Sequence, residues 1–80
     1  PAIQVTFKGN GKLTELKLPP DCTLENLIST CKEMLNIMPQ YKLEFYLPPS
    51  VVPLRQTDTL REAGIRDKGE INVKVIYVGA

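Results

Sequence analysis

The chain contains no histidine. That removes the usual general base of enzyme sites, every triad built on imidazole and the commonest zinc ligand. It also lacks a charge of one sign: ten Lys+Arg against nine Asp+Glu leave a net +1. Nucleic-acid binders draw affinity from a clear basic excess that displaces counterions at phosphates, so this balance argues against a nucleic-acid partner. No apolar run approaches the ~18 residues that a bilayer crossing needs. Pro1-Ala2-Ile3-Gln4-Val5 has none of the basic-then-apolar pattern of a secretory signal. Internal repeats, low-complexity tracts and linkers are absent too. What remains is an ordinary globular composition, 42% apolar and 24% charged, in 80 residues, which fits one small domain and argues against a disordered tail or a coiled coil. A domain of this size buries only ~60% of its unfolded surface, leaving little room for an internal active-site cleft.

Cysteine is scarce. Cys22 and Cys31 are the only two. If 24–36 is helical, their separation of nine positions spans roughly 13 Å at 1.5 Å per residue. Bridged Cα atoms lie within ~7 Å, so the pair is expected to stay reduced, which fits an intracellular setting.

Along the chain, Ile3-Gln4-Val5-Thr6-Phe7-Lys8 alternates apolar and polar, a half-buried strand with Ile3, Val5 and Phe7 inward. Gly9-Asn10-Gly11 supplies residues that tolerate the positive φ of a hairpin turn. Thr14-Glu15-Leu16-Lys17-Leu18 alternates again, and Pro19-Pro20 ends the ladder. Thr23 stands where an N-cap hydroxyl belongs, before Leu24, Leu27, Ile28, Cys31 and Leu35, which form one apolar helical stripe. Asn36 suits the helix C-terminus, and Pro39 bars any continuation. A third strand is expected over 42–47 with Leu43 and Phe45 inward. A short extended piece follows at Leu54-Arg55, then a capped helical turn over 58–65 closed by Gly64. The last strand is expected over 71–78, with Ile71, Val73, Val75 and Tyr77 inward. A hairpin, a helix and further strands on one sheet make an α+β domain: a mixed sheet of four to five strands with one helix packed across one face. The apolar first and last strands are expected side by side at its centre.

That order resembles the ubiquitin-like β-grasp superfamily over nearly the whole chain. Residues 20–27, Pro-Asp-Cys-Thr-Leu-Glu-Asn-Leu, look like the turn and start of the ubiquitin helix. Asp58-Thr59-Leu60, Gly64-Ile65 and Gly69-Glu70-Ile71-Asn72-Val73 look like that family's approach to its last strand. Residues 59–69 and 73–76 are also similar to the OST domain of the Ets transcription factor GA-binding protein alpha. Where the ubiquitin family's central exposed isoleucine falls, this chain carries Glu44, with Asn72 and Lys74 on the neighbouring strand. Burying an acid and a base there is costly unless they pair well, so the usual ubiquitin receptors are not expected to bind. The ending Val78-Gly79-Ala80 departs from a double-glycine tail. The resemblance therefore implies residues 1–80 as a single domain of a larger protein rather than a modifier, which would need processing after Gly79.

Strand parity places Gln4, Thr6, Lys8, Glu15, Lys17, Lys42, Glu44, Tyr46, Asn72, Lys74 and Ile76 on the outer sheet face. The bland reading is a solvated surface on which Lys42 or Lys74 pairs with Glu44 across strands. The sharper reading is a docking site for an acidic protein segment, with Tyr46 and Ile76 as anchors and Lys42, Lys74, Glu44 and Lys8 around them. Lys8 would also suit the strand-one lysine of a PB1 domain, but the acidic cluster of that class is missing. The edge strand near Lys12 to Lys17 is the place where a Ras-type GTPase-binding module would pair; its two lysines also serve to prevent aggregation. Residues 47–53 read as a stiff connection, with Val51 or Val52 on the core edge. Met34 and Met38 read as gap fillers, Cys31 as core, and Cys22 as a thiol without a base to activate it. No phosphate loop, metal-ligand spacing or carboxylate pair appears. The expectation is a monomeric, non-enzymatic interaction domain without cofactor or metal, in an intracellular and more specifically nuclear protein. Its partner would be an acidic protein such as a transcriptional co-activator, with no membrane or nucleic acid.

Overall fold

The computed structural model describes residues 1–77. It consists of β1 (Ile3–Gly9), β2 (Lys12–Leu18), a 3-10 turn (Glu25–Leu27) running into α1 (Ile28–Met34), β3 (Lys42–Tyr46) and β4 (Gly69–Ile76). The sheet order is β2-β1-β4-β3. β1 pairs antiparallel with β2 and parallel with β4, and β4 pairs antiparallel with β3. The first and last strands thus lie together at the centre, as their apolar content implies.

The β1–β2 hairpin closes through Asn10 (φ 53°) and Gly11 (φ 71°), the two positive-φ residues that a two-residue turn requires. Alternation then does the rest. Val5 and Phe7 of β1, Leu43 and Phe45 of β3, and Ile71 and Val73 of β4 are buried, and Leu24, Leu27, Cys31 and Leu35 cover them from the helical side. Phe7 and Phe45 meet edge to face at 6.3 Å.

The helical segment is shorter than its apolar stripe suggests, and Thr23 does not cap it. Thr23 bridges to Thr59 instead, and its hydroxyl is buried without a partner. The first turn is held from outside: Leu24 N–H donates to the Asp58 carbonyl at 3.1 Å and Glu25 N–H to that of Gln56 at 2.9 Å. At the other end the expected Asn36 is in place with φ 56°. Ile37 N–H returns to the Lys32 carbonyl at 2.8 Å and Asn36 N–H to that of Glu33 at 3.4 Å, a Schellman ending.

Four strands are described, not five. Leu54-Arg55 adds no strand; Leu54 N–H makes a single bond to the Phe45 carbonyl at 2.7 Å. Residues 58–65 form the expected capped turn, and Thr59 is its cap. Glu62 N–H donates to Thr59 Oγ1 at 3.0 Å, Thr59 N–H donates to Glu62 Oε1 at 2.9 Å, and Gly64 follows at φ 81°.

Three apolar expectations fail. Tyr77 is exposed and meets Tyr41 edge to face at 4.7 Å, because β4 ends at Ile76 and the next side chain leaves the sheet. Val51 is 87% exposed and Val52 also points outward, since the loop stands away from the core. Met34 and Met38 lie exposed at the helix end rather than filling gaps. The expected continuation of the last strand to Val78, and the Gly79 and Ala80 ending, lie outside the described residues.

Candidate functional site

The outer face is assembled by register. Across β4 and β3, Asn72 stands opposite Tyr46, Lys74 opposite Glu44 and Ile76 opposite Lys42. Across β1 and β4, Lys8 stands opposite Asn72 and Thr6 opposite Glu70. Side chains two residues apart on a strand share a face, so Lys42, Glu44, Tyr46, Lys74, Ile76 and Lys8 are brought onto one surface. Lys42 and Lys74 are exposed; Glu44, Tyr46, Ile76 and Lys8 are half-buried. Glu44 and Lys74 do not enter the interior.

Their pairing differs from the simplest electrostatic guess. Glu44 does not take Lys74 or Lys42; it accepts a hydrogen bond from the Tyr46 hydroxyl at 2.8 Å. That bond, then partial burial, then the nearby negative charge push the Tyr46 phenol above its usual range. Among the described residues, Lys42 and Lys74 have no carboxylate within ion-pair distance. Lys8 is engaged, 3.1 Å from Glu70, so its charge is offset within the chain. Gln4 ties the other half of the face together, donating its side-chain amide to Glu15 and its backbone N–H to Asp67 at 2.8 Å.

The outer edge of β3 has its outward carbonyls taken. Leu54 N–H takes the Phe45 carbonyl, and the Gln56 side-chain amide donates to the Leu43 carbonyl at 2.6 Å. Beside it runs an open groove of about 550 Å³ between α1 and β3, where Ile28, Lys32, Tyr41, Lys42, Gln56 and Ile76 meet.

Two residues of the face escaped the sequence reading. Leu13 is 57% exposed and Glu70 neutralises Lys8. Leu13 shares strand parity with Glu15 and Lys17, and Glu70 with Asn72 and Lys74, so parity carried out to the strand ends finds them.

Little here resembles catalytic machinery. Cys31 is buried and its thiol pushed up to about 12 by desolvation, and Cys22 is raised chiefly by burial, with Asp21 adding to it. Among the described residues no group of three or more His, Cys, Asp or Glu side chains is placed to hold a metal, and no helix is long and apolar enough to cross a membrane.

No family model and no curated protein matches the chain. Solved structures do. The ubiquitin of Caldiarchaeum subterraneum is similar with a TM-score of 0.78 at 19% identity, covering 100% of both chains. The ubiquitin-like domain of Dsk2 from Plasmodium falciparum matches with a TM-score of 0.76 at 23% identity, over 92% of this chain and 97% of that one. The ubiquitin-like domain of the type VII secretion system protein ECCD1 from Mycobacterium tuberculosis matches with a TM-score of 0.66 at 24% identity, over 91% of this chain and 97% of that one. One helix on a mixed four-stranded sheet, with the termini's strands parallel at its centre, is the ubiquitin-like fold, and this chain has it.

Proposed function

We propose that the chain is a non-catalytic protein-interaction domain that docks an acidic protein segment through its outer sheet face. One observation carries this reading: Tyr46 occupies Glu44, which leaves Lys42 and Lys74 without carboxylates beside half-buried apolar surface at Ile76 and the Tyr46 ring. Ammonium groups around apolar anchors suit a segment that brings carboxylates and an apolar side chain together. The ubiquitin-like domains of Dsk2 and ECCD1 are each named as part of a larger protein, which supports reading this chain as one domain of a longer one. A host in transcriptional regulation, in the nucleus, and a co-activator as partner rest on the OST-type similarity of residues 59–69 and 73–76 alone.

Display selection with random peptides tests the reading. Selected binders are expected to be acidic with an apolar residue, and to shift the amide resonances of Lys42, Glu44, Tyr46, Lys74 and Ile76. Tyr46→Ala with Ile76→Ala should abolish binding, and Lys42→Glu with Lys74→Glu should weaken it and flatten its salt dependence. Binders that map elsewhere, or bind the double variants unchanged, reject this face.

A further inference from the structure

The sheet has one edge that the chain partly covers and one that it leaves open. On β3 the outward carbonyls of Phe45 and Leu43 accept from Leu54 N–H and the Gln56 side-chain amide. On β2, among the described residues, no hydrogen bond other than those to β1 reaches the backbone of Lys12–Leu18.

Which groups that open edge offers follows from β1. Gln4 N–H donates to Asp67, and the Gln4 carbonyl accepts from Lys68 N–H at 2.7 Å. Gln4 therefore turns its backbone groups away from β2, and Ile3, Val5, Phe7 and Gly9 turn theirs towards it. Their partners are Leu18, Leu16, Thr14 and Lys12. By alternation, the N–H and C=O of Leu13, Glu15 and Lys17 face outward from the edge, with nothing in the fold to meet them.

The side chains along this edge complement themselves. Two antiparallel copies of β2 can place Glu15 opposite Glu15, which sets like charges face to face. Moving the register by one pair places Glu15 opposite Lys17 and Lys17 opposite Glu15, on the outer face. In that second register the outward-facing groups of both residues coincide, so each exchanges N–H···O=C bonds with the other copy. On the inner face it sets half-buried Leu16 against its own counterpart and Thr14 against Leu18. Exposed Leu13 falls beside Pro19, which has no N–H to give and whose carbonyl already accepts from Cys22 N–H at 3.1 Å, so Leu13 gains no ladder bond there. Lys17 has no ion-pair partner among the described residues, and Glu15 accepts only the neutral Gln4 side-chain amide, so pairing Lys17 with the second copy's Glu15 breaks no salt bridge.

We infer that β2 is a self-association edge: a second copy of this chain pairs with it antiparallel, Glu15 against Lys17, joining two four-stranded sheets into one. A single strand pair buries less than the ~1,600 Å² of a standard interface, so the dimer is weak, dissociating in the range of about 0.1–1 mM. It leaves Lys42, Lys74, Tyr46 and Ile76 uncovered, because they lie on β3 and β4 towards the other edge of the sheet, and so stands or falls separately from docking there.

The test is sedimentation equilibrium with amide hydrogen exchange on the whole chain at low and high concentration. The expected result is a monomer–dimer equilibrium in which Glu15 and Lys17 amides gain protection with concentration while Leu13 does not. Glu15→Lys should weaken association about tenfold, by turning two attractive pairs into two repulsive ones. Glu15→Lys with Lys17→Glu should restore it, since the swapped charges again face each other. Monomer at all concentrations up to a few times the expected dissociation constant overturns the inference. So does association that Glu15→Gln strengthens, which would mark the like-charge register, or association without protection along β2.

Discussion

The side-chain amide of Asn10 donates to the Leu35 carbonyl at 2.9 Å and to the Asn36 carbonyl at 3.1 Å. These carbonyls belong to the unsatisfied C-terminal end of the helix, so the tip of the β1–β2 hairpin holds the point where the helix stops. One residue thereby serves two elements, setting the turn with its positive φ and tying sheet to helix with its amide.

Asn10→Gly separates the two roles. Glycine keeps the turn conformation but removes both hydrogen bonds, so it should cost about 1 kcal/mol in urea unfolding. Asn10→Ala loses the bonds and also strains the positive φ, and should cost more. Equal losses for the two variants would show that the tie to the helix, not the turn, is all that Asn10 supplies.

Gly9 and Gly11 flank that residue with opposite tolerances. A Cβ on Gly9 would lie 2.6 Å from the Val73 carbonyl oxygen and 2.9 Å from the Val73 Cβ, both in the central strand β4, which cannot move aside. A Cβ on Gly11 meets nothing within 4 Å, and its only penalty is φ 71°. Gly9→Ala should cost about 1–3 kcal/mol through overpacking and Gly11→Ala about 1 kcal/mol. Thermal unfolding of the two variants should therefore rank Gly9→Ala lower.

The cysteines should behave as two different reagents. In the native protein a disulfide-forming dye should titrate half-buried Cys22 slowly and leave Cys31 untouched until denaturant is added, because Cys31 is buried and its thiolate strongly disfavoured. Cys31→Ser places a hydroxyl in that apolar site and should cost about 1–3 kcal/mol. Two equally reactive thiols in the folded state would mean that the helix does not cover the sheet as described.

The parts of this molecule that could be read from sequence are those governed by nearby residues. Asn10-Gly11 announces the hairpin, alternation separates Val5 and Phe7 from Gln4 and Thr6, and Asn36 marks the helix end by its tolerance of positive φ. The failures share a different cause. Thr23 has the chemistry of a cap, but the carbonyls of Asp58 and Gln56, more than thirty positions away, take the first-turn amides and leave its hydroxyl idle. Val51 and Val52 have core-like side chains on a loop that passes outside the core. Parity likewise gathers Glu44, Tyr46, Lys42 and Lys74 on one face, but does not say that the phenol captures the carboxylate before either ammonium does.

That capture makes Tyr46 and Glu44 a pH-dependent pair. Tyr46 is raised first by its hydrogen bond to Glu44, then by burial and by the charge of the same carboxylate. A phenol whose folded-state value lies above its unfolded one favours the protonated form in the fold. Its stabilisation is present in full below the ordinary phenol value and is lost as pH climbs through the folded-state value. Glu44→Gln keeps an acceptor but removes the charge, so the Tyr46 ring-carbon titration followed by NMR should move down, and Glu44→Ala should move it further. Tyr46→Phe should erase the alkaline dependence and release Glu44 towards Lys74, the residue directly opposite it. With that ammonium neutralised inside the chain, an acidic segment docking on the face should bind Tyr46→Phe more weakly than the parent, although only a hydroxyl has been removed. A Tyr46 titration indifferent to Glu44, or undiminished docking by Tyr46→Phe, would mean that this hydrogen bond is not what keeps Lys74 available.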